Sequence, residues 1–541
     1  MGNGYFKTEM PENEKNRSYL PGSAERESLK RELERQSREV VQIPMVIGGK
    51  DVWTEKKTRT VMPHDHGHVI AEAAQGGEKE LKAAIAAALA ARDEWARMPA
   101  EHRTTVFLKA AEIIAGPMRD TINAATMLGQ SKTVWQAEID TCELIDFLRF
   151  NVYYLQKIYE EQPNHAPGVW NRVEYRPLEG FVAAISPFNF TSIGANLPSA
   201  PATAGNVVIW KPATTAVLSN YYVMRAFQAA GLPDGVINFI PSRGSDVSRY
   251  VISDPNLSGF HFTGSTEVFS GVWSQVGQNI RSYRTYPRLV GETGGKDFIF
   301  AHPSADVPDL VASLVRASYE YQGQKCSAAS RAFVPMSLWP QVRDGMLEEI
   351  ERLKVGDVCD FTNFMGAVID ASAFRTCKDY IDGAQASADA RVLCGGYDDS
   401  RGYFVYPTLI EARRPDFRTM TEEIFGPVMT VYPYPDERLE EALESCDSAT
   451  PYGLSGAIFA TDRAAIVKME DALRNAAGNF YINDKPTGAV IGQQPFGGAR
   501  ASGTNDKAGS VINMQRWLSP RTIKEQFLPS REVVYPYMAE P

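Results

Sequence analysis

From Phe181 to Trp210 the chain carries no charged residue, and a stretch of that kind has to be buried. A membrane helix would bury it, but Pro187, Asn189, Pro198, Pro201 and Asn206 interrupt the run, so short buried strands joined by loops fit better. The texture continues in the same way. Phe181–Ser186 and Val207–Trp210 read as strands, Asn220–Ala230 as a helix, Gly231–Gly235 as a turn, and Val236–Ile240 as another strand. Gly259–Ser265 reads as a strand running into a helix start. This βαβ rhythm implies an α/β fold with a parallel sheet covered by helices. Ligands of such sheets sit at the carboxyl ends of the strands, where helix N-termini offer free N–H groups. Neither G-x-G-x-x-G nor a P-loop occurs, so any nucleotide site is of another kind.

A second alternating region runs from Lys296 to about Asn483, with helices expected over Leu310–Tyr321, Leu338–Leu353 and Ala371–Ala386. It ends in a glycine-rich segment, Gly488–Gly509, that favours a shaped loop. Ahead of both regions, helical spacing predicts helices over Glu78–Met98, Arg103–Ile114, Met118–Leu128 and Gln136–Tyr154, the last carrying Glu138, Asp140, Glu143 and Asp146. Pro163–Pro177 reads as a projecting hairpin. The densely charged Ala24–Glu39 reads as an exposed helix or an arm lying on a neighbour. His64, His66 and His68 surround Gly67 and suggest an exposed turn, and no metal is expected.

With 541 residues, two or three domains are expected. A formal charge of −10 argues against nucleic acid, whose phosphates need a basic face. Six scattered cysteines without a C-x-x-C pair suggest a reducing compartment. The first thirty residues lack an apolar leader, so a cytosolic protein without membrane insertion is expected.

One cysteine stands apart. Cys326 lies in Gly323-Gln324-Lys325-Cys326-Ser327, with Lys325 and Arg331 nearby. Cations favour the reactive thiolate, and small neighbours admit a flat cofactor. A lone cysteine is otherwise an ordinary core residue. Six stretches add to it: Ser186-Pro187-Phe188-Asn189-Phe190, Trp210-Lys211-Pro212, Phe262-Thr263-Gly264-Ser265, Gly291-Glu292-Thr293-Gly294-Gly295-Lys296, Gly323-Gln324-Lys325-Cys326 and Glu422-Glu423-Ile424-Phe425-Gly426-Pro427. In order and spacing they resemble the aldehyde dehydrogenase superfamily over about residues 45–525, and within it the branch that oxidises L-glutamate γ-semialdehyde.

The resemblance implies a Rossmann-type cofactor domain, an α/β catalytic domain and a small β oligomerisation flap. The corresponding boundaries are an arm at 1–44, a cofactor domain at 45–154 and 178–295, oligomerisation elements at 155–177 and 510–541, and a catalytic domain at 296–509. It casts Cys326 as nucleophile, Asn189 as oxyanion donor and Glu292 as general base. Plainer roles for the last two are a turn cap for Asn189 and a partner to Lys296 for Glu292. Ile185, Ser186, Pro187, Phe188, Lys211, Pro212, Thr263, Gly264, Ser265, Glu423 and Phe425 match cofactor-binding positions. Thr214 stands where many members carry a glutamate that repels a 2′-phosphate, which leaves NAD and NADP both open.

For the substrate, the resemblance points to a loop at 487–498. There Gly488 and Ala489 would hold the amino-acid end, with Lys325 and Ser327 assisting. Phe190 and Phe496 would line an aliphatic tunnel, and Glu138 would meet the ammonium. Ala489 replaces an expected serine, so one hydroxyl contact is lost while backbone anchoring survives. The activity implied is oxidation of glutamate γ-semialdehyde to glutamate in proline breakdown, by a homodimer or larger assembly. Competing readings are a dehydrogenase of another carboxylated aldehyde such as succinate semialdehyde, a non-redox cysteine esterase, and a catalytically idle structural protein.

Overall fold

In a computed structural model, residue 4, residues 6–529 and residues 531–538 are described, so the outermost residues of the expected arm and tail lie outside it. Two seven-stranded sheets dominate. In the first, spatial order is 288–292, 257–263, 181–185, 207–211, 237–239, 45–47, 50–52, with the first five strands parallel. The second runs 390–398, 404–412, 428–434, 329–335, 297–301, 455–459, 479–482, parallel except at the 390–398 edge. Register brings Glu292 opposite Thr263, and Ile185 opposite both Phe262 and Lys211. The carboxyl ends of four neighbouring strands thus form one ledge, where an open α/β sheet receives its ligand.

The charge-free run holds a surprise. Thr191–Thr203 is a helix with Pro198 and Pro201 inside it, where loops and strands were expected. Each proline lacks the N–H that would reach the carbonyl four residues back. Those two carbonyls have other donors: Ser186 Oγ reaches Gly194 O at 3.1 Å and His261 Nδ1 lies 2.9 Å from Leu197 O. Trp210 Nε1 holds Ser186 Oγ from the other side at 2.6 Å. Tertiary donors therefore rescue a helix that local sequence disfavours.

Other helices start and stop close to expectation, including Glu78–Arg97, Val217–Ala229 and Ala371–Gln385. The longest, Val134–Glu160, carries the acids named above. The expected hairpin at 163–177 is not a local one. Val169–Pro177 pairs antiparallel with Leu518–Gln526, so the ribbon joins segments far apart in the chain. The charged segment near the N terminus is a helix, Ala24–Arg38, anchored by buried Leu29, Leu33 and Gln36. Nor is the histidine turn wholly exposed: His64 is buried beside Asp357. Among the described residues no helix is long and apolar enough to cross a membrane.

Candidate active site

Cys326 follows a sharp left-handed turn. Tyr321, Gln322 and Gly323 have φ of 53°, 55° and 65°, a conformation that costs energy at the two non-glycine positions unless the surroundings enforce it. They do so through glutamine amides. Gln322 Nε2 donates to Ser131 O and Ala367 O at 2.9 and 2.8 Å, and its Oε1 accepts from Gly366 N at 3.1 Å. Gln324 Oε1 accepts from Ile369 N at 2.8 Å. A methyl group at Gly323 would sit 2.4 Å from Gly426 O, so only glycine lets the loop approach this closely.

Onto this loop converge the other two expected residues. Asn189 is buried and its Nδ2 donates to Gln324 O at 3.1 Å, which places the amide two residues from the cysteine. Glu292 ends its strand, and its Oε2 accepts from Gly498 N at 3.4 Å. Burial raises its carboxyl well above the ordinary value, weakly opposed by that N–H and by Lys507. Glu292 is not held by Lys296, whose ammonium has no hydrogen-bond partner among the described residues and is pushed down to about 7 by burial and then by Arg331. Glu423 Oε1 accepts from Gly295 N at 2.8 Å. A Cβ on Gly295 would lie 2.6 Å from Cys326 O, so these segments pack backbone to backbone.

Nearby cations do not activate the thiol, contrary to the sequence reading. Burial raises the Cys326 thiol well above its usual range, and Asp297, Glu292, Glu423 and Glu143 add to the effect. Lys325 is committed elsewhere, 3.1 Å from Glu320. Burial pushes Glu320 up, but Lys325, Lys485 and Arg316 outweigh it and hold the carboxyl at about 2. Arg331 donates from Nε to Lys296 O. The resting sulfur is a thiol that needs a base.

Glu138 is a further correction. Its carboxylate accepts from Tyr19 Oη at 2.8 Å, Asn123 Nδ2 at 2.8 Å and Arg17 N at 2.7 Å, and pairs with Arg119 at 2.5 Å. Fully enclosed, it has nothing left for an ammonium. Glu143, which the sequence reading named without assigning a role, is among the acids that help to raise the Cys326 thiol. Positions 138 and 143 differ by roughly 140° around a helix axis, so they face different surroundings. Burial and then Asp140 push Glu143 to about 7, and Ser192 Oγ donates to it at 2.8 Å.

Lys132 supports both sides of the site. Its ammonium lies 2.8 Å from Asp140 and 3.7 and 4.6 Å from the ring centres of Phe190 and Tyr321. The Asp140 carboxylate also accepts from Thr191 N and Ser192 N at 3.0 and 2.8 Å, just past Asn189 and Phe190. Both partners are completely buried. Lys132→Met leaves a buried charge without its counterion and is expected to cost about 3–5 kcal/mol, measurable as a lowered denaturant midpoint.

On the cofactor side, Lys211 ends its strand with no side-chain partner among the described residues, and burial lowers its pKa. Thr263, Gly264 and Ser265 lead into the helix Thr266–Gln278, whose first turn Ser265 caps through Val268 N. Phe425, at φ 59°, meets Phe188 edge-on at 5.8 Å. Ile185, Pro187 and Pro212 complete the ledge. The hydroxyl of Ser186 is spent inside the fold, between Gly194 O and Trp210 Nε1. An unpaired ammonium, a long helix N-terminus and a carboxylate on one ledge fit the phosphates and ribose hydroxyls of a dinucleotide.

On the opposite side, Ser327 Oγ lies 2.8 Å from Thr487 Oγ1, joining the residue after the cysteine to the glycine-rich loop. The N–H groups of Gly488 and Ala489, which follow, donate to no acceptor among the described residues. Free donors on successive residues of a glycine-rich loop suit a carboxylate. Phe496 exchanges both backbone hydrogen bonds with Ala508, which fixes that end of the loop.

Comparison with known proteins agrees with this geometry. A model of the aldehyde dehydrogenase family matches residues 53–523. The Delta-1-pyrroline-5-carboxylate dehydrogenase, mitochondrial, of Dictyostelium discoideum is 51% identical over 536 residues, 98% of this chain and 96% of its own. The Homo sapiens protein of the same name is 50% identical over 524 residues, 96% and 93% of the two chains. A Mycobacterium tuberculosis Delta-pyrroline-5-carboxylate dehydrogenase bound with NAD superposes with TM-score 0.96 at 49% identity, covering 100% of both chains. These relatives also correct the cytosolic expectation, since those of Dictyostelium discoideum, Mus musculus, Homo sapiens and Bos taurus are all named mitochondrial. An apolar leader marks secretion, whereas a mitochondrial transit segment is amphipathic and arginine-rich, so lack of the former never bore on that compartment.

Proposed function

This chain belongs to the aldehyde dehydrogenase family, and from that premise we propose that it oxidises L-glutamate γ-semialdehyde, the open form of Δ1-pyrroline-5-carboxylate, to L-glutamate with NAD. One observation carries the reading: a nucleophile, an amide donor and a basic carboxylate meet on one side of a cofactor ledge, and the residue after the nucleophile is tied to a glycine-rich loop with free N–H donors.

Glu292, made basic by burial, takes the proton of Cys326. The sulfur adds to the aldehyde carbon, and the oxyanion is held by Asn189 Nδ2 and the N–H of Cys326. NAD, when bound, accepts the hydride lost from that carbon. Lys211, the start of the helix at Thr266 and Glu423 would hold it. A thioester on Cys326 remains. Glu292 passes the cysteine proton to solvent. It then takes a proton from water, whose oxygen attacks the thioester carbon and expels the thiolate, which is reprotonated as the acid forms. Gly488 and Ala489 hold the substrate carboxylate, Phe190 and Phe496 flank its methylenes, and Glu143 replaces Glu138 as partner of its ammonium.

The 45–154 and 178–295 segments serve as the cofactor unit and 296–509 as the catalytic unit. The exposed ribbon of 169–177 and 518–526 is the element through which copies pair. Delivered as pyrroline-5-carboxylate, the semialdehyde is expected to be used with NAD at least on the order of 10²-fold more efficiently than succinate semialdehyde, because only it satisfies both charged ends. Reduced-nicotinamide absorbance checks this. Equal efficiency on the two aldehydes would sink the substrate assignment. Ester cleavage without nucleotide, together with no reduced cofactor from any aldehyde, would sink the redox one.

A further inference from the structure

We propose that the N-terminal arm is a clamp that sets the geometry of the substrate loop, with Asn13 as its positioning residue. The inference rests on the reading that Gly488 and Ala489 hold the substrate carboxylate. Residues 8–20 run without regular structure along the helix Val134–Glu160, yet they are held at every few residues. Asn13 uses its whole amide: Nδ2 donates to Asp146 Oδ2 at 2.9 Å and to Ile491 O at 2.7 Å, and Oδ1 accepts from Gln493 Nε2 at 2.9 Å. The other Asp146 oxygen accepts from Glu14 N at 2.8 Å. Glu14 in turn bridges Arg119 and Arg149 at 2.6 and 2.7 Å. Burial pushes the Glu14 carboxyl up, but the two arginines outweigh it and hold it below its ordinary value. Further on, Arg17 N and Tyr19 Oη close on Glu138. The acid expected to bind substrate is instead part of the socket for this arm.

The loop needs such a hold. Gly488 and Gly492 have φ of 94° and 82°, positions free to take other conformations. Its near end is tied to the cysteine loop through Thr487 and Ser327. Just past the donors, Ile491 is held by its packing on Phe147 and Phe150 and by the Asn13 amide, before Phe496 and Ala508 fix the far end of the loop. The two N–H groups keep one geometry only if the chain on both sides of them is fixed, and loosening the side at Ile491 adds ordering cost to each binding event. Asn13 touches neither substrate nor cofactor, so its loss alters how often the cradle is formed and leaves the chemistry as it was.

Full-length Asn13→Ala and Asn13→Asp variants test the proposal. The aspartate loses both donors and faces Asp146, so it should match or exceed the alanine. The expected result is a KM for glutamate semialdehyde raised about tenfold, with kcat and the KM for NAD unaltered. The KM for pentanal, which has no carboxylate, stays put. Amide hydrogen exchange across 487–494 quickens. Unaltered exchange there would overturn the clamp, as would an equal rise in KM for both aldehydes. If the unmodified protein shows no preference for glutamate semialdehyde over pentanal, the substrate reading fails while the exchange measurement still decides the clamp. Gln493→Ala removes one of the same bonds from an exposed position and is expected to shift exchange and KM in the same direction, should the Asn13 variants not fold.

Discussion

Cys326→Ala is expected to lower kcat for aldehyde oxidation on the order of 10⁵-fold, as removal of a covalent nucleophile does. At 1.4 kcal/mol per factor of ten that is roughly 7 kcal/mol of barrier. Water cannot take over the role. The hydride leaves only from a tetrahedral carbon bearing an oxyanion, and the adduct must stay under Asn189 while it departs. The substitution should otherwise be quiet. The resting sulfur is a neutral thiol, because burial and four surrounding acids raise its pKa, so no charge is lost with it. The glutamine bonds that hold the preceding turn do not involve the side chain. NAD affinity, read by quenching of protein fluorescence, is therefore expected to stay within about twofold, since no cofactor contact is removed. Activity within about tenfold of the original would remove the covalent mechanism.

Where sequence reasoning succeeded and where it failed follows from the range of the forces involved. Cys326, Asn189 and Glu292 lie in short glycine- and proline-punctuated stretches, and local chemistry marks such stretches wherever they fold. The helix Thr191–Thr203 was hidden because its stability comes from Ser186 and His261, residues outside the segment that donate to the carbonyls its prolines strand. The ribbon partner of 169–177 lies at 518–526, beyond any local pattern. Glu138, Asp140, Glu143 and Asp146 of the helix Val134–Glu160 were all in view. Deciding between Glu138 and Glu143 needs the phase of that helix against the cysteine loop, which sequence alone does not provide. Lys325 misled for a related reason: adjacency in the chain placed its charge beside the sulfur, while the side chain reaches Glu320.

Glu292→Gln is expected to separate the two halves of the reaction. The amide keeps the size of the carboxyl and can still accept from Gly498 N, but it cannot take a proton at any working pH. Loss of a general base costs about 10²–10⁴-fold, and the loss should fall most on hydrolysis of the thioester, because the thiol can still ionise unaided as pH rises. Rapid mixing is then expected to show a burst of about one reduced nicotinamide per site, followed by slow turnover. The burst should form faster as pH rises, since the thiol now ionises unaided. In the unmodified protein the sign follows from the raised carboxyl. Below its pKa in the folded state Glu292 is protonated and idle, and above it the base is available, so hydrolysis rises with pH through that value. The variant should lack this limb. Hydroxylamine, a nucleophile that needs no base, should restore turnover by intercepting the thioester. Slow formation of even the first reduced nicotinamide, with no burst at high pH and no response to hydroxylamine, would confine Glu292 to deprotonating Cys326 and remove its role in hydrolysis.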